Sequence, residues 1–270
     1  MNQQSPLNEV ELIALMGLQF AKLTEAATNQ LVIDSLCQRQ GGWICPVNLD
    51  VLRQSVSNDA IRELVNSASL IVSDGMPLTW ASRLQGTPLP ERIAGSSLII
   101  TLSAELGRHR RSMYLLGGNE GTAEAAGIKL SEMYPGLRIS GSHCPPFGFE
   151  KVASEIEHIE ILLESAQPDV VFVGLGFPKQ DRLIAQLRHK FPRTWFVSCG
   201  ISFSFVAGEV RRAPKFAQTL GLEWIHRLVQ EPRRLAQRYL VQGPPFAVRL
   251  LLTCLFRRLK TTKASAVSPG

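Results

Sequence analysis

Short apolar runs alternate with longer segments of helical spacing along most of the chain, and this alternation constrains the fold more than any other feature. Near-continuous apolar strands separated by helices are typical of a parallel sheet that helices cover on both faces. The sequence therefore predicts an α/β fold, a Rossmann-like parallel sheet covered by helices, with a basic helical C-terminal appendage. The predicted strands are residues 43–47, 69–73, 112–117, 137–142, 169–174 and 194–200, and the predicted helices are residues 57–68, 96–109, 120–134, 151–167 and 179–190.

Charge divides the chain into two parts. Of the 270 residues, 45% are hydrophobic and 19% are charged, which excludes a disordered chain. Residues 1–208 have a net charge of −3, whereas residues 209–270 have a net charge of +9. We therefore expect a Rossmann-like catalytic domain over 1–208 and a basic, membrane-associating appendage over 209–270, with an anionic partner for the appendage.

Cysteine and histidine spacing argues against a disulfide scaffold and a dedicated metal site. The five cysteines are widely spaced without a C-x-x-C pair, and the five histidines lack metal-binding spacing. We expect no metal and no cofactor, and a reducing cytosol. The N-terminus has no basic segment before its apolar stretch, and no run of 18 apolar residues occurs, so neither a signal peptide nor a transmembrane helix is expected.

The residues that follow each predicted strand are candidate site residues, because ligands of such sheets bind at the carboxyl ends of the strands. Asp74 follows an apolar strand and precedes Gly75. Its carboxylate could take a proton from a substrate hydroxyl, or it could simply cap the helix that Pro77 would open. Asn48 ends another strand, and Arg92 lies in a Pro- and Gly-rich loop, where it could clamp a diphosphate or be a solvated surface residue.

Two glycine-rich turns lead from strands into helices. One is LLGGNEGTAEAA (115–126), with Gly117 and Gly118, and the other is GLGFPKQ (174–180), with Gly176 and Gln180. Backbone N–H groups at such a helix start can hold a phosphate, although ordinary strand–helix packing also needs glycines. Neither turn is a complete dinucleotide or P-loop fingerprint.

The basic C-terminal segment predicts a short amphipathic helix beyond Pro245. Arg249, Thr253, Arg257 and Lys260 share one face, and apolar residues cover much of the rest. Such a helix suits an anionic membrane interface and is predicted to be too short to span the bilayer; it could instead pack on its own domain. Nucleic acid is not favoured as a partner, because no aromatic residues are interleaved with the charges.

The motifs, taken in order, resemble those of the WecG/TagA/CpsF family of bacterial glycosyltransferases. The resemblance covers roughly residues 17–240. Its eight motifs are PVN (46–48), SDGMPL (73–78), PERIAG (90–95), LLGGNEGTAE (115–124), YPGLRISG (134–141), GLGFPKQD (174–181), GEVRRAP (208–214) and GLEWIHRLVQEPRRLAQRYL (221–240).

The resemblance implies an inverting transferase without a catalytic metal, which moves a sugar from a UDP-sugar to a sugar on undecaprenyl diphosphate. It implies that Asp74 is the general base, that Arg92 contacts the diphosphate and that Gln180 serves nucleotide-sugar binding. Asn48 matches the family's Thr-x-Asn pair, in which Pro46 replaces the threonine here. The arginines that match those supplied by the family's membrane-bound appendage are Arg227, Arg233, Arg234 and Arg238.

These observations together predict a peripheral enzyme on the cytoplasmic face of the plasma membrane, acting in exopolysaccharide or surface-glycan synthesis. Its expected partners are the UDP-sugar donor, the lipid-linked acceptor and an anionic membrane surface, and pairing into a homo-oligomer is plausible. Two alternatives stay open. One is a non-catalytic nucleotide-sugar-binding scaffold at the membrane, and the other is an NAD(P)-dependent oxidoreductase, against which the missing dinucleotide fingerprint argues.

Overall fold

The described residues form one eight-stranded sheet in the order β1-β2-β4-β3-β8-β7-β5-β6. The computed structural model describes residues 6–214 and 223–266. All neighbouring strands run parallel except the antiparallel hairpin of β1 and β2. The strands are β1 (Leu12–Leu15), β2 (Leu18–Ala21), β3 (Gly42–Val47), β4 (Leu70–Ser73), β5 (Ser112–Gly117), β6 (Arg138–His143), β7 (Val170–Gly174) and β8 (Trp195–Ser198).

Helices cover both faces of this sheet, so the predicted fold class is confirmed. The first of two buried apolar clusters is shared by α2, α3, α4, α7, α8 and α12, and the second by α1, α5, α6 and α9. Because both faces are covered, every residue of β4, β5 and β8 is buried, which explains the near-continuous apolar runs of the sequence. The helices are α1 (Glu25–Cys37), α2 (Leu49–Ser57), α3 (Asp59–Asn66), α4 (Met76–Gln85), α5 (Gly95–Arg108), α6 (Thr122–Met133), α7 (Ala153–Ala166), α8 (Lys179–Lys190), α9 (Ser202–Ala207), α10 (Glu223–Gln230), α11 (Pro232–Ala236) and α12 (Gly243–Ala266).

The sequence prediction missed the N-terminal hairpin and the first two helices. The strands β1 and β2 have only four residues each, and their turn depends on positive φ angles of 47° at Met16 and 92° at Gly17. Helix α1 buries the polar residues Thr28, Asn29 and Ser35 together with apolar ones. A mixed buried face of this kind hides the apolar period on which helix prediction depends.

Within the predicted appendage (209–270), the described residues 223–266 fold back onto the sheet domain. Helix α12 packs against α4 and α2, and it buries Phe246, Leu250 and Cys254. These three residues are spaced four apart and therefore lie on one face of the helix. The sequence analysis left open whether this helix lies on a membrane or packs on its own domain. Along this face, it packs on its own domain.

The opposite face of α12 is apolar and exposed. It carries Val248, Leu252, Leu255, Phe256 and Leu259, which are 38–59% exposed. The sequence analysis treated the apolar residues of this helix as one surface, whereas the structure divides them: Phe246, Leu250 and Cys254 pack on the domain. The exposed apolar face is instead formed by residues half a turn away.

The prediction that this helix is too short to span a bilayer is wrong. By length and composition alone, residues Gln237–Lys260 form a helix that could cross a membrane. The prediction failed because the helix does not begin beyond Pro245: α12 begins at Gly243, and a π-helical segment, Gln237–Gln242, leads directly into it. The burial of one face of α12 against the domain nevertheless shows this helix lying along the protein.

Candidate active site

A large cleft follows the carboxyl ends of the parallel strands. It has a volume of about 1450 Å³, and residues after β3, β4, β5, β6, β7 and β8 all line it. The appendage forms the remaining wall through α10, α11, the π-helical segment and the first turn of α12. Parallel sheets bind ligands at this edge, so the cleft is the expected place for a substrate.

Asp74 lies in this cleft directly after β4. Its backbone N–H donates a hydrogen bond of 2.8 Å to the carbonyl of Val47, which fixes its position at the end of the strand. The N-cap of α4 is Gly75, and Pro77 lies in the first turn of that helix. The Asp74 carboxylate is therefore not used as a helix cap, and the capping alternative of the sequence prediction is wrong.

Burial is the main cause that raises the pKa of the Asp74 carboxyl above its usual value. Glu223 raises this pKa further, whereas Arg92, Arg227 and Arg212 lower it. A raised carboxyl pKa brings the group closer to neutral pH, where a general base is most effective. The cleft therefore holds a half-buried carboxylate with cationic neighbours, which is suited to accepting a proton.

Arg92 is held next to Asp74 by the backbone of its own loop. The N–H of Ile93 donates a hydrogen bond of 2.7 Å to the carbonyl of Ser73, so the loop runs beside the end of β4. Nη1 of Arg92 lies 2.8 Å from Oε2 of Glu223 in the appendage. Burial disfavours the charge of Arg92, but Asp74 and Glu223 outweigh this effect and hold its pKa above the usual value.

Asn48 and Asp50 connect the end of β3 to the appendage. The side-chain oxygen of Asn48 caps α2 by accepting hydrogen bonds from the backbone of Asp50 and Val51. The same oxygen accepts a hydrogen bond of 3.1 Å from Nη2 of Arg238. Nε of Arg238 also lies 3.2 Å from a carboxylate oxygen of Asp50. Arg238 therefore fixes the appendage at the strand end where the sequence analysis placed Asn48.

The glycine turns after β5 and β7 lie against each other. The N–H of Gly118 donates a hydrogen bond of 2.9 Å to the carbonyl of Gly174. Gly117 has a φ of +111°, and a Cβ atom there would come within 2.7 Å of the same carbonyl oxygen. Only glycine fits this close approach between two strand ends. Because the Gly118 N–H is already bonded, it is not a free phosphate donor in this arrangement.

Gln180 joins two of the loops that line the cleft. Its side-chain oxygen accepts hydrogen bonds of 3.1 Å from the backbone N–H groups of Gly176, after β7, and Gly200, after β8. The side chain is buried. Gln180 therefore shapes the cleft by holding both loops in place.

Asp181 lies beneath the cleft in a buried polar network. One of its carboxylate oxygens accepts a hydrogen bond of 2.8 Å from Ser198, whose hydroxyl in turn accepts one of 3.1 Å from the indole N–H of Trp43. Burial raises the pKa of Asp181 to about 6, although the hydrogen bond from Ser198 partly offsets this effect.

The four appendage arginines of the sequence prediction have different positions. Arg227 and Arg238 line the cleft, whereas Arg233 is exposed and is not one of the described residues that line it. The side chain of Arg234 lies outside the described part of the chain. The sequence analysis did not select Arg212 or Glu223 as site residues, although Arg212 lies in the motif GEVRRAP and Glu223 in the motif that begins GLEWIH.

Metal-binding side chains are not clustered in the described ranges. Within residues 6–214 and 223–266, no group of three or more His, Cys, Asp or Glu side chains is placed to hold a metal ion.

The fold and this cleft define an α/β enzyme with a carboxylate and several guanidinium groups at the carboxyl edge of its sheet. The sequence model of the WecG/TagA/CpsF glycosyl transferase family matches residues 13–260, so the chain belongs to this family and is a glycosyltransferase. The matched range extends beyond residues 17–240, the range that the motifs cover. Membership argues against the oxidoreductase and scaffold alternatives.

Curated bacterial proteins of similar length resemble the chain. One from Bacillus spizizenii (strain W23) is 29% identical over 232 residues, which cover 86% of this chain and 85% of that protein. One from Bacillus subtilis (strain 168) is 28% identical, over 79% of this chain and 80% of its own. One from Staphylococcus aureus (strain MW2) is 30% identical, over 72% and 74% respectively. Each is named an N-acetylglucosaminyldiphosphoundecaprenol N-acetyl-beta-D-mannosaminyltransferase.

Proposed function

We propose that this chain is an inverting glycosyltransferase that moves a sugar from a UDP-sugar to a sugar on undecaprenyl diphosphate, in surface-glycan or exopolysaccharide synthesis. The observation that carries the proposal is the position of Asp74, a half-buried carboxylate with a raised pKa in a cleft that also contains Arg92. The names of the relatives support the acceptor class and favour N-acetylmannosamine as the transferred sugar.

In the proposed reaction, the Asp74 carboxylate removes the proton from the acceptor hydroxyl. The hydroxyl oxygen then forms a bond to the anomeric carbon of the donor sugar, while the bond from that carbon to the UDP oxygen breaks. Attack from the side opposite to UDP inverts the anomeric configuration. The proton stays on Asp74, and the electron pair of the broken bond leaves with UDP.

The leaving diphosphate gains negative charge as its bond to the sugar breaks. Guanidinium groups fixed around such a charge stabilise the transition state electrostatically. The charges of Arg92, Arg212 and Arg227 all lower the pKa of Asp74, so these guanidinium groups lie near the place where the reaction is proposed to occur. We propose that these arginines neutralise the diphosphate without a metal, so transfer should persist in excess EDTA.

The appendage is proposed to bring the enzyme to its lipid-linked acceptor. The exposed apolar face of α12 is flanked by the exposed side chains of Arg249, Arg257 and Lys260. A helix with this pattern can lie in an anionic membrane interface. The first turn of α12 lines the cleft, so an acceptor in the membrane would have a short path to Asp74. We therefore propose a peripheral location on the inner face of the plasma membrane, with residues 1–208 as the catalytic domain and 209–270 as the membrane-associating appendage.

A donor screen tests this proposal. The full chain is incubated with a panel of UDP-sugars, with and without a lipid-diphosphate-linked N-acetylglucosamine, and the release of UDP and the new glycolipid are measured. We expect UDP release that depends on the acceptor and a product of inverted anomeric configuration, as determined by NMR. A retained configuration would overturn the inverting mechanism, and UDP binding without any transfer across the panel would overturn the proposed function.

A further inference from the structure

Glu223 places a carboxylate among the guanidinium groups of the cleft. Its Oε2 lies 2.8 Å from Nη1 of Arg92, and its Oε1 lies 3.9 Å from Nε of Arg212. The side chains of Arg92 and Glu223 are only 15% and 14% exposed, so the pair is largely shielded from water. Glu223 belongs to α10 of the appendage, whereas Arg92 belongs to the loop beside β4.

This contact occupies an arginine donor that the proposed reaction needs. Guanidinium groups bind carboxylates and phosphates through the same N–H donors. A diphosphate that approaches Arg92 must therefore compete with the Glu223 carboxylate for Nη1. The charged groups that shift the pKa of Asp74 are Arg92, Glu223, Arg227 and Arg212. Glu223 is therefore the acidic member of an otherwise cationic set.

We propose that Glu223 is a positioning residue that contacts Arg92 at the anion site of the cleft and is displaced from it by the diphosphate of the substrate. The proposal rests on the proposed function, because it assumes a diphosphate substrate. Before the substrate binds, the carboxylate offsets the repulsion between neighbouring guanidinium groups and keeps Arg92 in place. On binding, the phosphate oxygens take over its contacts.

A simpler role for Glu223 predicts the opposite result. If the pair only held α10 against the sheet domain, then removing the carboxylate would loosen α10 and move Arg227 away from the cleft. Anion binding would then weaken. If Glu223 is displaced by the anion, removing its charge removes a competitor, and anion binding becomes tighter.

The test is a calorimetric titration of the full chain with inorganic pyrophosphate and with UDP. Glu223→Gln keeps the size of the side chain but removes the competing charge, so we expect Kd values about 3- to 10-fold lower than in the wild type. Glu91→Gln is the matched control. Glu91 is next to Arg92 in sequence, but it is exposed and accepts a hydrogen bond from the backbone N–H of Glu25 at the start of α1. The Kd of the Glu91→Gln variant should therefore stay within about twofold of the wild-type value.

Glu223→Asp provides a second variant in case the glutamine variant fails to fold. Its shorter side chain reaches Arg92 less well and competes less with the anion, so pyrophosphate should bind with a Kd modestly lower than that of the wild type. A second readout is the pH dependence of transfer. Removing a negative charge near Asp74 lowers its pKa, so the acidic limb of the profile should move to lower pH in Glu223→Gln.

The outcomes separate this inference from the proposed function. Weaker or unchanged pyrophosphate binding in a folded Glu223→Gln variant, with a wild type that transfers sugar, would overturn the inference alone. The same holds for a folded Glu223→Asp variant that binds pyrophosphate more weakly than the wild type. A wild type that binds neither pyrophosphate nor UDP would overturn both.

Discussion

Nη2 of Arg238 donates a hydrogen bond of 3.1 Å to Oδ1 of Asn48, two residues that are 190 positions apart in the sequence. The contact joins the π-helical segment of the appendage to the end of β3. It shows that the appendage forms one wall of the cleft and is not a separate tail. Mutations in the appendage should therefore change catalysis directly, in addition to any effect on membrane binding.

Removing the Arg238 guanidinium should impair transfer while the fold is retained. In Arg238→Ala, Asp50 still pairs with Arg53, at 2.8 Å, and Asn48 still caps α2, so the sheet domain should unfold at nearly the wild-type temperature. The wall of the cleft would lose its attachment, and we expect kcat/KM to fall about 10- to 100-fold. Arg193→Ala, an exposed residue before β8, is the control. Equal kcat/KM values for the two variants would show that the contact has no role in transfer.

A positive charge at position 92 should not be sufficient for sugar transfer without the planar guanidinium group of Arg92. Arg92→Lys keeps one positive charge but loses the fork of donors that can contact two phosphate oxygens. We expect a decrease in kcat/KM of about 100-fold, measured with a UDP-sugar and a lipid-linked acceptor. Arg83→Lys makes the same exchange at an exposed position in the last turn of α4 and should have little effect. Normal transfer by Arg92→Lys would exclude a bidentate contact.

The exposed apolar face of α12 should control binding to liposomes. Leu252 and Phe256 are 47% and 59% exposed, so changing both to Asp should leave the fold intact. Charges at this face oppose burial in the interface, and we expect about a tenfold decrease in partitioning to anionic liposomes in a sedimentation assay. Ile161→Asp, at a residue on α7 that is 55% exposed, is the control.

Unchanged liposome binding by the Leu252→Asp, Phe256→Asp variant would refute the interfacial role of α12. Neutral liposomes provide a further comparison. The basic side chains that flank the apolar face should bind them more weakly than they bind anionic liposomes. Deleting the helix is a poorer test, because deletion would also remove Phe246, Leu250 and Cys254 from the core and destabilise the domain.

Asp181 should make the stability of the protein depend on pH. Its folded pKa of about 6 is higher than its usual value of 3.8, so at low pH both the folded and unfolded states hold the proton. As the pH rises from about 4 to 6, the unfolded state ionises first, and the free energy of unfolding falls by up to roughly 3 kcal/mol.

Asp181→Asn removes this titration. The variant should therefore become more stable relative to the wild type as the pH rises from 4 to 7. The free energies of unfolding of both proteins are measured by urea denaturation. Asp59→Asn, at an exposed residue, should give a difference that hardly changes with pH. If the free energies of unfolding of Asp181→Asn and the wild type changed with pH in parallel, the raised pKa of Asp181 would be contradicted.

The sequence predicted the sheet and one edge of the cleft better than it predicted the appendage. Strands such as β4 and β5 are buried on both faces, so their apolar runs are visible in the sequence, and the residues after them lie in the cleft as expected. The contacts of Glu223 and Arg238 depend on a chain reversal that brings distant segments together, and no local pattern encodes it. The division of α12 into a buried and an exposed apolar face was missed for the same reason, because the helix packs against α4, whose position the local pattern does not reveal.

The most direct test of the account is the rate of sugar transfer by Asp74→Asn, measured in a single turnover with a UDP-sugar and the lipid-linked acceptor. The amide is nearly the same size as the carboxylate but cannot accept the proton. We predict a rate reduced about 10³-fold or more, with UDP binding as tight as in the wild type or tighter because a negative charge is lost. A folded Asp74→Asn variant that transfers sugar at nearly the wild-type rate would contradict the central claim that Asp74 is the general base.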